Sequence, residues 1–493
     1  MRTWKTVLAA SMFTLASSTV ALAARTDLVL GLVLEPPHLD PTAGAAAAID
    51  EVVYANVFEG LTRIGSSGEV LPALAESWTI SEDGKVYTFK LHGGVKFHDG
   101  TDFTSEDVKF SLDRARAENS TNAQKPLFAA IDTVEAVDPT TVKVTLKNPQ
   151  GSFLYNMGWG DAVIVAPESA EGNKEKPIGT GPFKFDNWAK GSSVTIVKNP
   201  DYWGEPVALE KAEFRIIPDA AAAVPAMLSG DVQAFPNMPI GDALPQIEGD
   251  GRFAVVIGAT EGETVLSTNN KKAPFDNLKV RQAIAHALKR DDIIAANGSG
   301  FGTPIGSHFS PANAAYVDLT GTYAYDVEKA KALLKEAGFE NGIKATLKLP
   351  PPAYARDGGQ VIAAQLRDIG IELELIPLEW AQWLEQVFTN KDYDLSIVSH
   401  TEPNDIGIYA RKDYYFQYDN PAFDKVIADL DVTSDEAKRN ELYGQAQKIL
   451  ADDAVNGWLF QLPKVGVWDK KVEGMWENSP VQANDLTKVK WVD

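Results

Sequence analysis

Between Asp326 and Val398 the hydrophobic period of the chain switches repeatedly between that of a helix and that of a strand, and this limits the fold more than any other feature. A helical pattern from Asp326 to Ala337, closed by Gly338, leads to a strand at Ile343 to Leu349 and then to a helix ending before Gly370. Ile371, Leu373 and Leu375 alternate as a strand, a helix follows near Trp380 to Asn390, and Tyr393 to Val398 reads as another strand. Such alternation at short spacing predicts a mostly parallel sheet with helices on its faces, hence an α/β fold. Open α/β sheets bind ligands beyond the carboxyl ends of their strands. The stretch "YDLSIVSHTEPND", Tyr393 to Asp405, leaves such a strand end for a polar loop, so Ser399, His400, Thr401, Glu402 and Asp405 are ligand-site candidates on topology alone.

Other segments add both periods. "AAIDEVVYANVFEGL" places Ile49, Val52, Val53, Val57 and Leu61 on one predicted helical face. In "SWTISEDGKVYTFKLHGG", Tyr87, Phe89 and Leu91 alternate after an Asp83-Gly84 turn, and "TSEDVKFSLDRA" opens a helix at Thr104 or Ser105 with Asp107 in its first turn. "DAAAAVPAMLSGD" reads as a helix stopped by Gly230, and "NLKVRQAIAHALKRDDII" carries a stripe of Val280, Ala283, Ile284, Ala287 and Leu288. The length of 493 residues suggests two or three domains.

The amino terminus, "MRTWKTVLAASMFTLASSTVALAARTD", has Arg2 and Lys5 before an apolar run that ends in Ala21-Leu22-Ala23. This order is that of a secretory signal peptide over residues 1–23, with cleavage expected before Ala24. With no cysteine in the chain, disulfides, thiolate metal sites and a lipidated cysteine after the leader are ruled out. An exported, unanchored chain of this kind fits a periplasm. Loss of Arg2 and Lys5 with the leader takes the formal net charge from -22 to -24, a surface that repels nucleic acid.

Five stretches together resemble a known family: "VFEGLTR" (57–63), "LPALAESWTISEDGKVYTFKLHGGVKFHDGTDFTSEDVKFSLDR" (71–114), "IGTGPFKF" (178–185), "NPDYWG" (199–204) and "PFDNLKVRQAIAHALKRDDII" (274–294). In this order they are similar to family 5 of the extracytoplasmic solute-binding proteins of ABC importers, the dipeptide, oligopeptide and nickel type. The resemblance implies a periplasmic-binding-protein fold of two hinged lobes plus an extra domain, with mixed sheets and flanking helices. It places domain I at 24–56, 180–262 and 469–493, the extra domain at 57–179, and the second lobe at 263–468. It also implies a monomer that closes on a small-molecule or short-peptide ligand and delivers it to permease subunits in the inner membrane, with no cofactor. Most of the resembling residues read as structural: "GTGPFK" lacks the spacing and the Lys-Ser ending of a phosphate loop, and Arg281 and Asp276 fit a helix-start network.

Peptide-binding members of that family carry an aspartate four residues before a proline at the corresponding strand end, where it pairs with the amino group of the peptide. Here Pro403 is the candidate proline and the position four before it is Ser399; Ser396 replaces the aromatic that often precedes. Either Glu402 or Asp405 takes the role, or the anchor is missing and a neutral or anionic solute, such as an oligosaccharide or opine-like conjugate, is the better cargo. Trp380 and Trp383, three apart on a helix, and Tyr409, Arg411 and Tyr415 in "IGIYARKDYYFQY" are candidate pocket walls, and Thr42 and Ala43 in "TAGAAAA" offer close backbone approach. A secreted enzyme is the competing class, but the chain has no G-x-S-x-G, H-E-x-x-H or dinucleotide motif and no catalytic residue stands out. His38, His92, His98, His286, His308 and His400 are scattered without metal-ligand spacing, so no metal is expected beyond an organic chelate as cargo.

Overall fold

The computed structural model describes residues 25–44, 46–238, 244–297, 300–402, 404–433 and 435–492. The leader with its expected cleavage point before Ala24, Ala45 of the "TAGAAAA" run, and Pro403 lie outside the described residues.

An eleven-stranded mixed sheet organises the molecule. At one end Ile371–Pro377, Ile343–Leu349 and Leu395–His400 run parallel, as the alternation predicts. At the other end Asp27–Leu32 pairs in parallel with Lys211–Ile216, which continues antiparallel into Ser193–Lys198 and Phe183–Ala189. Between them lie two long strands, Phe253–Thr268 and Gly457–Asp469, paired antiparallel. A separate four-stranded antiparallel sheet, Ala75–Ile80, Val86–Leu91, Thr141–Leu146 and Ile131–Asp138, packs Val134, Val142 and Val144 with Val108 and Leu112 of the helix Ser105–Arg116. Thr104 caps that helix, and Asp107 returns a bond to the Thr104 amide, so its start follows from the sequence.

The ladder between the long strands slips where they cross the middle of the molecule. Ala259 faces Pro463 and Glu263 faces Gln461, which leaves Thr260, Glu261 and Gly262 opposite Leu462 alone. Bulged residues lose ladder bonds and bend the strand. Here Thr260 Oγ1 restores one by donating to the Leu462 carbonyl at 2.6 Å, and Gly262 N donates to Thr260 Oγ1 at 2.9 Å. On one side of the slip Val465 and Val467 pack with Phe235 and Phe253; on the other Val265 packs with Tyr393 and Trp458.

Two elements differ from the sequence expectation. The helix begun at Ala47 ends at Val53, so Val57 and Leu61 are buried outside it. Asn56 explains the stop: its side-chain amide donates to Val52 O at 3.0 Å and Asn484 O at 2.9 Å while accepting from Leu486 N at 3.0 Å, tying the chain to the carboxyl-terminal segment. The strand read as Tyr393–Val398 instead spans Leu395–His400, because Ser399 and His400 pair with Thr264 and Glu263 across the sheet.

Three of the five sequence stretches meet at Glu59. This buried carboxylate accepts from Thr180 Oγ1 at 2.8 Å, Tyr202 OH at 2.8 Å and Trp203 Nε1 at 2.9 Å. Burial raises its pKa, against the lowering effect of the bonds from Trp203, Thr180 and Tyr202. Glu59→Ala leaves the buried Thr180 hydroxyl and the half-buried Tyr202 and Trp203 donors without a partner and is expected to destabilise the fold by about 3 kcal/mol, read as a shift in the urea midpoint; Glu59→Gln is expected to cost less.

Candidate functional site

A cavity of about 680 Å³ opens where the strand Leu395–His400 ends. One wall is Val398 to Glu402, the following turn from Asn404 to Ile408, Arg411, Tyr414 and Tyr415. A second wall is the helix Trp380–Trp383, which widens into a π-type turn over Leu384–Thr389. Trp380, Leu384 and Phe388 are 42%, 50% and 40% exposed, an i, i+4, i+8 apolar stripe facing the cavity. The third wall is Gln124, Gln150, Tyr155 and Trp159. Two smaller cavities of about 180 and 210 Å³ continue the crevice, and both share Thr401 with the first.

Of the residues expected from the sequence, Ser399, His400, Thr401, Glu402, Asp405, Arg411, Tyr415, Trp380 and Trp383 come together on this cavity. Tyr409 does not, which corrects its expected contact with cargo. It lies beneath the wall, 1% exposed and stacked on Phe416 at 4.8 Å, with its hydroxyl bonded to His308 Nδ1 and Asn456 Nδ2, each at 3.0 Å. Thr42 and Ala43 are also absent from the cavity lining. Asp40 caps their short turn, and Arg114 Nη1 donates to Thr42 Oγ1 at 2.6 Å, which places Thr42 in a different cavity of about 430 Å³. Trp383 is both wall and core, since its Nε1 donates to Ser396 Oγ at 2.9 Å.

Acidic groups crowd the crevice. Asp405 accepts from His308 Nε2 at 2.6 Å and has His400 Nδ1 at 3.8 Å. Burial works to raise its pKa, but His308, His400 and Arg411 outweigh burial and hold the carboxyl below its ordinary range. Burial, then Asp405, pushes Glu402 up, and burial pushes Asp161 up to about 7. Asp50 rises through burial and the nearby Asp161 and Glu51. Asp50, Asp161 and Trp159, missed in the sequence, line the adjoining cavity with Glu402, and Asp50 Oδ1, Asp161 Oδ1 and Trp159 Nε1 are buried without a partner among the described residues. Ser399 Oγ is in the same position. The guanidinium of Arg411 lies 4.6 Å above the Tyr414 ring and makes no ion pair among the described residues. An i, i+4 aromatic pair, Tyr155 and Trp159, is the sequence signal for the third wall.

A crevice of this shape, between lobes joined by long strands, marks a protein that traps a solute. The model of bacterial extracellular solute-binding proteins, family 5 Middle, matches residues 69–405, and the chain belongs to that family. It is 32% identical over 441 residues to the dipeptide-binding protein of Escherichia coli (strain K12), covering 80% of this chain and 81% of that one. Its fold matches the periplasmic binding protein DppA from Helicobacter pylori in complex with peptide STSA, with a TM-score of 0.79, 28% identity, and coverage of 95% of this chain and 99% of the other. The PBP AgaA from A. tumefacien R10, in complex with agropinic acid, matches with a TM-score of 0.77 at 26% identity, over 95% of this chain and 99% of that chain. Among the described residues no helix is long and apolar enough to cross a membrane.

The raised Asp161 pKa has a consequence for stability. The folded carboxyl titrates at about 7 and the ordinary value is 3.8, so between these values the folded state holds a proton that the unfolded chain has released. Stability therefore falls as pH rises through that window. In urea titrations from pH 5 to 7.5, Asp161→Asn is expected to flatten this part of the slope relative to the wild type.

Proposed function

We propose that this chain captures a short peptide or peptide-like solute bearing both an ammonium and a carboxylate. One observation carries the reading: Arg411, a cation with no ion pair among the described residues, and Glu402, an exposed carboxylate whose pKa is nonetheless raised, face the same aromatic-walled cavity. A zwitterion satisfies both, and the apolar stripe of Trp380, Leu384 and Phe388 receives side chains between them. Asp405 is already engaged by His308, and Ser399 has no charge to give, so the amine goes to Glu402, with Asp50 and Asp161 beside it.

In this reading the exported chain, cleaved before Ala24 and free in the periplasm, closes as a monomer around its cargo and passes it unaltered to permease subunits. The domain division expected from the sequence fits this motion, with the boundary at 262 falling on the ladder slip; packing of Val465 and Val467 with Phe253 favours starting the return into domain I near 463. Binding and closure then form one equilibrium. A second reading, an opine-like conjugate, is favoured by Ser399 alone, whose buried hydroxyl offers no counter-charge to an amine.

Calorimetry with a dipeptide, its N-acetyl form and its C-terminal amide tests the reading. Loss of either charge is expected to cost about 1.5 to 3 kcal/mol. Glu402→Gln should remove discrimination against the N-acetyl form, and Arg411→Ala discrimination against the amide. Equal binding of all three ligands overturns the zwitterion reading, and conversion of the ligand, seen by mass spectrometry, overturns simple capture.

A further inference from the structure

The sequence offers no metal-ligand spacing among its histidines, but the fold brings the His308 and His400 rings to 5.4 Å on either side of Asp405. Glu263, just past the ladder slip, joins them: a carboxylate oxygen of Glu263, a ring nitrogen of His308 and a carboxylate oxygen of Asp405 all lie within 4.8 Å of one another. His400, Glu402 and Asp405 form a second group of the same compactness on the cavity side.

We infer that Glu263, His308 and Asp405 bind one divalent transition-metal ion at the foot of the cargo cavity, with its open face toward His400 and Glu402. Glu263 is 2% exposed and its Oε2 is buried without a hydrogen-bond partner among the described residues, so a ligand atom is already desolvated and unclaimed. Glu261, 6% exposed, adds a further buried carboxylate beside the pair. Carboxylates so placed repel one another in a poorly solvated site, and a dication offsets that repulsion. One imidazole with two carboxylates suits Zn²⁺, Co²⁺ or Ni²⁺ better than Ca²⁺ or Mg²⁺, which take oxygen ligands. Outer partners are in place as well. Tyr409 OH sits 3.0 Å from His308 Nδ1, and Asn456 Nδ2 donates to Tyr409 OH at 3.0 Å, which fixes the ring. For the ion to bind, the His308 proton now shared with Asp405 moves to Nδ1, where the Tyr409 oxygen accepts it.

The test is titration of the EDTA-treated mature chain with Co²⁺, followed by visible absorption and calorimetry. One equivalent is expected to bind with micromolar affinity or better, and Zn²⁺ to displace it. Glu263→Gln, which keeps the side-chain shape, and His308→Gln should each weaken Co²⁺ at least about tenfold. Thermal melting of both variants confirms that they are folded. Absence of stoichiometric Co²⁺ binding, or equal binding by the wild type and a folded Glu263→Gln, overturns the site and leaves Asn456–Tyr409–His308–Asp405 as a purely structural relay. Dipeptide calorimetry on the same metal-free protein is read separately, so failure of the metal site and failure of the zwitterion reading are distinguishable.

Discussion

Every other part of this molecule hangs on the pairing of Phe253–Thr268 with Gly457–Asp469. These strands carry one sheet through both lobes, so neither lobe can shift without bending this ladder. The bend has a place to occur, at Thr260, Glu261 and Gly262. A β-carbon at Gly262 would lie 2.9 Å from Leu462 Cβ and 3.1 Å from Ser399 Oγ, so the crossing is packed tightly against the strand that ends in the cavity. Slip, strand end and cavity adjoin: Glu263, just past the slip, pairs with His400, and Thr264 pairs with Ser399, and both His400 and Ser399 line the cavity.

Charge distribution gives the crevice its character. Buried carboxylates are costly unless paired, and an ordinary fold keeps few of them. Here Asp50, Asp161, Glu261 and Glu263 are all raised, each through burial first, and the more exposed Glu402 is raised as well, while Asp405 is held low against burial chiefly by His308. Burial also pushes His400 down to about 4, so that ring is neutral at pH 7 and does not offset the excess. A cationic group in the crevice would lower the cost of ionising these carboxylates.

The residues that mark the family and those that line the cavity are different. Glu59, Thr180, Tyr202 and Trp203 come from the stretches that mark the family, and they hold one another in a buried network. Arg281, from another such stretch, donates to the carbonyls of Phe275, Asp276 and Asp453 and so braces its helix. The cavity walls come from segments with no such mark: 124–127, 150–159 and 380–388.

Local period was enough to read the existence of the three parallel strands and the helix starts near Thr104, Asp219 and Asp326, because capping and burial alternation depend on residues within a few positions. The cysteine-free character of the chain was equally legible, since it is a property of composition. Tertiary structure alone decided that Tyr409 faces inward, that the helix at Ala47 stops at Val53, that Asp50 and Asp161 share a crevice, and that His308 reaches Asp405 from 97 positions away. Each of these depends on partners brought in from distant sheet pairings, Asn456 for Tyr409 and Asn484 for Asn56 among them, and no local spacing encodes which distant side chain will arrive.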